Sequence, residues 1–376
     1  MSERVFFPNL NSLRFIAAMI VIIGHIEQFK EHLGLPFRQG HSVVEAKLGV
    51  ILFFVLSGFL ITYLLLVERR QAGSISIRDF YLRRVYRIWP LYFLLVIVTL
   101  FVLPHIPFFN LPHLNSTAVF DNMGMVTLLC FLILPNVVLT SYGVVPYGNQ
   151  AWSIGSEEQF YLLWPWLMKY VKNKWVIIFG VFILYHVVRF ALNKMELHGF
   201  MQGFRGFWNT FNVDCMALGG AFALLYFEKR NTLMRLLSHP VVQVVVWITT
   251  IILCYTGLWF LKGRLWGLSD IFYYQIYAVL FGIIIFNLAT NKASLVYLEF
   301  APFSYLGKIS YGLYMYHPIA IVCAIKLMLA MGGINNWVLY PLATLFTVCI
   351  AALSYHYLEK PFMRWKNKHT RVVSGG

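Results

Sequence analysis

Eleven stretches of this sequence are apolar over about the length a helix needs to cross a bilayer, which leaves little room for any other kind of fold. They run at about 13–29, 48–67, 88–104, 124–141, 157–171, 174–192, 210–227, 241–261, 271–289, 309–330 and 337–358. A hydrocarbon core of about 30 Å takes roughly 20 helical residues. Unpaired backbone is not tolerated in lipid, so such stretches must be helices or strands of a closed barrel. Barrel strands alternate apolar and polar residues, and Leu48–Val67 and Val241–Leu261 show no such alternation. Charged residues make up 12% of the chain, against about 25% in a soluble domain. The expected class is all-α, a polytopic integral membrane helix bundle.

The distribution of charge sets the expected topology. Arg69, Arg70, Arg78, Arg83, Arg84 and Arg87 crowd residues 68–87, read as a loop. Lys169, Lys172 and Lys174, then Lys229, Arg230 and Arg235, then the tail from Lys360 are further basic segments. Positive segments stay in the cytoplasm. All of these agree only if the stretch at 124–141 does not span. Its Pro135–Asn136 pair fits a broken helix, which survives at membrane depth where it lines a protein cavity. The expectation is ten transmembrane helices plus a re-entrant or non-spanning segment near 124–141, with both termini cytoplasmic, in the inner membrane. Residues 1–362 form one transmembrane domain and 363–376 a cytoplasmic basic tail.

A net charge of +15 suggests nucleic acid in a soluble protein. Here the cations lie between apolar stretches, so the bilayer is the expected partner and nucleic acid is not. The five cysteines sit singly inside apolar stretches, without the spacing of a metal site or a disulfide framework. No small-residue cleavage site follows the first stretch, which reads as a retained span.

Ionisable side chains within spans are expensive and usually face a cavity or a partner. The first stretch holds Arg14, His25 and Glu27. Eleven residues bring Arg14 and His25 to nearly the same helix face, about 16 Å apart in rise. The plain alternative is a snorkelling arginine and a satisfied buried histidine. Arg84 and Arg87, three apart, share a face and suit phosphate oxygens such as those of coenzyme A, or simply anchor the cytoplasmic end. Glu157 and Glu158 follow Trp152-Ser153 at the start of a helix. They either complement its dipole or, lying at the depth of His25, pair with that imidazole and fix its tautomer. Tyr311, Tyr314 and His317 form one stripe, suited to interhelical hydrogen bonds or to substrate. Ser57-Gly58 reads as a packing contact. His356 and Glu359 read as capping or a salt bridge.

In this order the pieces resemble the acyltransferase-3 superfamily of bacterial membrane O-acyltransferases. The resemblance rests on Leu13-Arg14-Phe15 with His25, Phe53 to Leu60, Arg84 to Arg87 with Ile88 and Pro90, Trp152-Ser153 with Glu157 to Tyr161, Ile309 to Tyr314 with His317, and Glu359-Lys360-Pro361-Phe362. It implies a ten-span fold, a cytoplasmic acyl-CoA co-substrate with no resident cofactor or metal, and a hydroxyl acceptor on a surface or lipid-linked glycan. By position it implies His25 as the catalytic histidine with Arg14 as its partner, Arg84 and Arg87 near the donor, and Glu157 as the acidic residue after Trp-Ser. Many members place an Arg two residues before the position of Asp214; here that residue is Asn212. Some relatives carry a C-terminal hydrolase-like domain that receives the acyl group. About 14 residues follow the last motif here, so the resemblance implies a separate acyl-accepting accessory protein or none.

The expected mechanism places acetyl-CoA at the cytoplasmic mouth on Arg84, Arg87 and Arg14. His25, oriented by Glu157, takes the proton of an incoming hydroxyl, with an acyl-histidine relay as the variant. Trp152, Ser153, Tyr161, Tyr311, Tyr314 and His317 are expected to bind substrate. The rivals are a proton-coupled transporter or exporter of a polar substrate, and a non-catalytic scaffold.

Overall fold

The computed structural model describes residues 5–38, 45–256, 268–368 and 374–375. In chain order the helices are α1 (Leu10–His32), α2 (Ala46–Ala72), α3 (Ile77–Ile97), α4 (Thr117–Asp121), α5 (Met123–Phe131), α6 (Pro135–Ser141), α7 (Ala151–Tyr170) and α8 (Lys174–Lys194). There follow α9 (Phe200–Phe211), α10 (Val213–Phe227), α11 (Asn231–Ser238), α12 (Pro240–Thr256), α13 (Leu268–Thr290), α14 (Ala301–Lys308), α15 (Ser310–Ala330), α16 (Asn336–Ser354) and α17 (Lys360–Lys368). The bundle is all-α; the one extended pairing among the described residues is a two-residue bridge between Val5–Phe6 and Ser374–Gly375.

Among the described residues, eight helical segments are long and apolar enough to cross a membrane, or nine if the α11–α12 pair, bent by 59°, is one span. The 20-residue α7 also packs in the bundle but is not among these segments. The outer surfaces explain why this is a membrane fold. On α12, Val241, Val244, Val245, Ile248, Ile251 and Ile252 all face outwards, and α8 does the same with Phe179, Ile183, Leu184, Val187 and Phe190. Helices that are apolar on their outer face need lipid rather than water around them. The protein is a multi-pass membrane protein.

The segment near 124–141 holds only two short helices, neither of span length. It breaks between α5 and α6, where Ile133 takes a positive φ of 59° and Pro135 opens the next helix. The break lies against protein, as its polar groups require. Asn136, fully buried, exchanges two 3.0 Å hydrogen bonds with the Gln159 amide on α7.

Two boundaries differ from those read in the sequence. Residues 68–87 are not a loop: only Gly73–Ser76 lies outside α2 and α3. Hydropathy ends where the arginines begin, but the backbone stays helical: Arg83, Arg84 and Arg87 line an internal cavity, and Arg70 and Arg78 are exposed. The division drawn between 362 and 363 lies inside α17, whose Trp365 ring meets Tyr86 of α3 at 6.1 Å. The last residues of the 241–261 stretch, 257–261, fall outside the described residues.

Close backbone contact between α2 and α10 depends on glycine. A Cβ at Gly58 would sit 1.9 Å from the carbonyl oxygen of Met216, and one at Gly219 2.1 Å from that of Val55. Small residues let membrane helices approach this closely, as expected for Ser57-Gly58. Because the obstruction is backbone, Gly58→Ala should cost about 1–3 kcal/mol of stability. Thermal unfolding in detergent measures it; an unchanged melting temperature would mean that the two helices part freely.

Candidate active site

The turn between α2 and α3 aims a row of arginines into the bundle. Glu68, 2% exposed, accepts from the Ser76 amide at 2.8 Å and from Arg83 at 3.2 Å, and so ties the end of α2 to the start of α3. Ser76 caps α3 by accepting from the Asp79 amide. One turn further on, Arg84 and Arg87 line a cavity of about 230 Å³ together with Arg14 of α1. Asn11 holds the Arg14 guanidinium at 2.7 Å. Arg84 lies against the rings of Phe80 and Tyr161, 5.5 and 5.2 Å from their centroids.

The lining carries five cations (Arg14, Arg83, Arg84, Arg87 and Lys308) and three carboxylates (Glu68, Glu157 and Glu359). Glu68 is already committed to Arg83. The Nε of Arg84 is buried with no hydrogen-bond partner among the described residues. A buried, unpaired guanidinium N–H costs energy unless an anion supplies the acceptor. Away from the arginines the walls turn apolar with Val50, Phe53, Phe54, Leu60 and Leu64.

Polar contacts hold the far end of the cavity. Ser57 of α2 donates to Glu157 of α7. Ser153 and Tyr314 bond at 2.7 Å, and the Tyr314 hydroxyl also reaches the Gln150 carbonyl at 2.9 Å. Tyr311 donates to the Ile88 carbonyl at 2.8 Å. Just beyond this wall lies a pair of histidines. His25 Nδ1 and His317 Nε2 are 2.9 Å apart, and Tyr314 stands between pair and cavity, its ring centroid 5.9 Å from both His317 and Phe53. A basic cleft with an apolar throat thus ends one side chain short of two imidazoles.

The sequence profile of a family described as "Acyltransferase domain" matches residues 7–356, nearly the whole chain. The chain belongs to this acyltransferase family. It is 26% identical over 377 residues to the peptidoglycan O-acetyltransferase OatA of Listeria monocytogenes, covering 96% of this chain and 56% of the relative. It is 27% identical over 371 residues to the O-acetyltransferase OatA of Staphylococcus aureus, covering 96% and 57%. A putative peptidoglycan O-acetyltransferase, YrhL of Bacillus subtilis, is 25% identical over 95% of this chain and 55% of its own length. The chain therefore spans little more than half the length of these curated relatives. No solved structure matches it.

Of the residues expected to act in catalysis or substrate binding, Arg14, Arg84, Arg87, Ser153, Glu157, Tyr161, Tyr311 and Tyr314 share the cavity. Three do not. Trp152 turns away, against Phe54 and the Lys47 ammonium. His25 and His317 lie behind the Tyr314 wall. The contact expected between Glu157 and His25 does not form: Glu157 is bonded by Ser57 in the cavity, whereas His25 is bonded by His317. Equal depth on two helices did not make them neighbours: Glu157 faces the cavity, whereas the His25 ring meets His317 of α15. Ser57, read only as a packing residue, is therefore also a polar member of the site.

Sequence reasoning missed a second polar cluster. Asp214, fully buried on α10, meets His186 of α8 at 3.2 Å and accepts from Gln275 of α13 at 2.5 Å. Asn212 replaces the arginine common at its position, and His186 and Gln275 serve the carboxylate instead. The signal was present: His186 and Arg189 are two ionisable residues three apart within an apolar stretch.

Proposed function

We propose that this chain is a membrane O-acetyltransferase that moves an acetyl group from cytoplasmic acetyl-CoA to a hydroxyl of peptidoglycan or a related envelope glycan on the opposite face. The observation that carries this reading is the cavity in which three arginines from α1 and α3 converge and whose apolar throat leads towards His25. The similarity to O-acetyltransferases, two of them described as acting on peptidoglycan, suggests the glycan and the acetyl group. The basic segments at the arginine end support a cytoplasmic location for that end and for both termini.

The phosphates of the donor occupy Arg84, Arg87 and Arg14, and the uncharged pantetheine arm follows the apolar wall. Phe53 and Tyr314 must shift for the thioester to reach His25. His25 Nε2 accepts the hydroxyl proton as the oxygen attacks the thioester carbonyl. The tetrahedral intermediate collapses with cleavage of the C–S bond, and the proton passes to the departing sulfur. The products are an O-acetyl ester and free coenzyme A. General-base assistance of this kind is worth about 10²–10⁴-fold; positioning supplies much of the rest.

The test is purified protein in proteoliposomes, with labelled acetyl-CoA on one side and soluble peptidoglycan fragments on the other. Label in muramic or glucosamine hydroxyl esters, matched mole for mole by free thiol, is the expected result. Movement of a polar solute without release of coenzyme A would replace the reading with a transporter.

A further inference from the structure

The proton positions in the histidine pair follow from its far end. His317 Nδ1 lies 2.7 Å from the carbonyl oxygen of Tyr314. A carbonyl only accepts, so Nδ1 carries the hydrogen. His317 is fully buried, and no carboxylate bonds to either ring among the described residues. A cation buried there would have no counter-charge, which favours the neutral ring. A neutral imidazole has one N–H, so His317 Nε2 offers only its lone pair. His25 Nδ1, 2.9 Å away, must then be the donor. The same rule leaves His25 Nε2 bare. The 2.9 Å approach is closer than the ~3.5 Å contact distance of two stacked rings, which marks it as a hydrogen bond although the ring planes differ by only 20°.

The chain also supplies the anchor. In an α-helix the carbonyl of residue 314 accepts from the amide of residue 318. Residue 318 is proline, within α15, and has no N–H. Pro318 therefore leaves the Tyr314 carbonyl without its helical donor, deep in a bundle where unpaired carbonyls are costly. The side chain of the preceding residue, His317, fills the gap. The order Tyr314, His317, Pro318 thus creates an acceptor and assigns one imidazole to it.

We propose that His317 is a positioning residue, held by the carbonyl that Pro318 frees, and that it locks His25 in the tautomer whose Nε2 is basic. It takes the place that a carboxylate holds in a Ser-His-Asp triad. When His25 accepts a proton, its Nδ1–H remains bonded to His317 and the ring keeps its orientation. This rests on His25 being the base of the proposed reaction.

The experiment compares acetyl transfer by wild type, His25→Ala, His317→Leu, His317→Gln and Pro318→Ala, each as the full chain, with acetyl-CoA affinity measured alongside. Glutamine places an amide oxygen near the position of Nε2 and restores the acceptor; leucine does not. His317→Leu should lose about 10²-fold or more in kcat, the scale on which a wrong tautomer is felt, with the KM for acetyl-CoA unchanged. His317→Gln should recover at least tenfold of that loss. Pro318→Ala returns a competing amide and should fall between the two. If His317→Leu stays within about threefold of wild type while His25→Ala is inactive, the inference is overturned. It is also overturned if glutamine is no better than leucine when both variants bind donor normally. Full activity of His25→Ala would instead remove the reading on which the inference stands.

Discussion

Replacing His25 by alanine is expected to lower acetyl transfer by about 10²–10⁴-fold, the usual contribution of a positioned general base. Each tenfold corresponds to about 1.4 kcal/mol, so the barrier should rise by about 3–5 kcal/mol. Donor binding should not change. The arginines proposed to receive the phosphates lie on α1 and α3 at the other end of the cavity, and Arg14 is eleven residues from His25, about 16 Å along the helix. Nor should the fold fail, because His25 is not fully buried and its side-chain partner is another imidazole, His317, that leaves no charge unpaired. The measurement is single-turnover transfer from labelled acetyl-CoA by protein that elutes and melts like wild type. A loss confined to KM would mean that His25 only binds. Turnover near wild type would remove it from the chemistry, and the cavity would then need another base, for which Glu157 is the nearest candidate.

Much of this architecture was legible because lipid imposes strict rules. A chain that buries its backbone in hydrocarbon must pair it internally, so apolar stretches of span length had to be helices, and Pro135 marked the one that breaks. Intramembrane charge is rare enough that Arg14, Arg84 and Arg87 stood out, and they do meet in one cavity. Depth along a helix could be read from residue number. Which neighbour a face meets could not, since that depends on how α1, α2 and α7 pack together. Glu157 and His25 were therefore matched by depth and found different partners. Helix ends were misplaced near residue 68 for a related reason. Hydropathy falls where charges begin, yet Arg83, Arg84 and Arg87 of α3 line an internal cavity and the helices continue. The pairing of His317 with His25 joins helices 292 residues apart in the chain. Pro318 hinted at a freed carbonyl, but only the structure identifies what fills it.

The arginine cleft makes the second large prediction. Arg84→Ala with Arg87→Ala should raise the KM for acetyl-CoA by at least 10²-fold while kcat at saturating donor falls far less. A hydrogen bond to a charged group is worth about 1.5–3 kcal/mol, so two such losses total about 3–6 kcal/mol before compensation. Part of that is returned, because Arg14, Arg84 and Arg87 crowd like charges into one cavity and removing two relieves their repulsion. Lysine at both positions should recover only part of the affinity. It restores the charge but not the planar fork that grips phosphate in two places, nor the flat face that Arg84 lays between Phe80 and Tyr161. Raised salt should weaken wild type more than the double alanine variant, since screening acts only where charges meet. Titration with coenzyme A, and with a dephosphorylated analogue that lacks the 3′-phosphate, separates the sites. If Arg84 or Arg87 serves the 3′-phosphate, the corresponding variant should bind the two ligands equally. Equal affinity of wild type and the double variant for coenzyme A would show that the arginines serve the fold alone, and the donor would have to enter elsewhere.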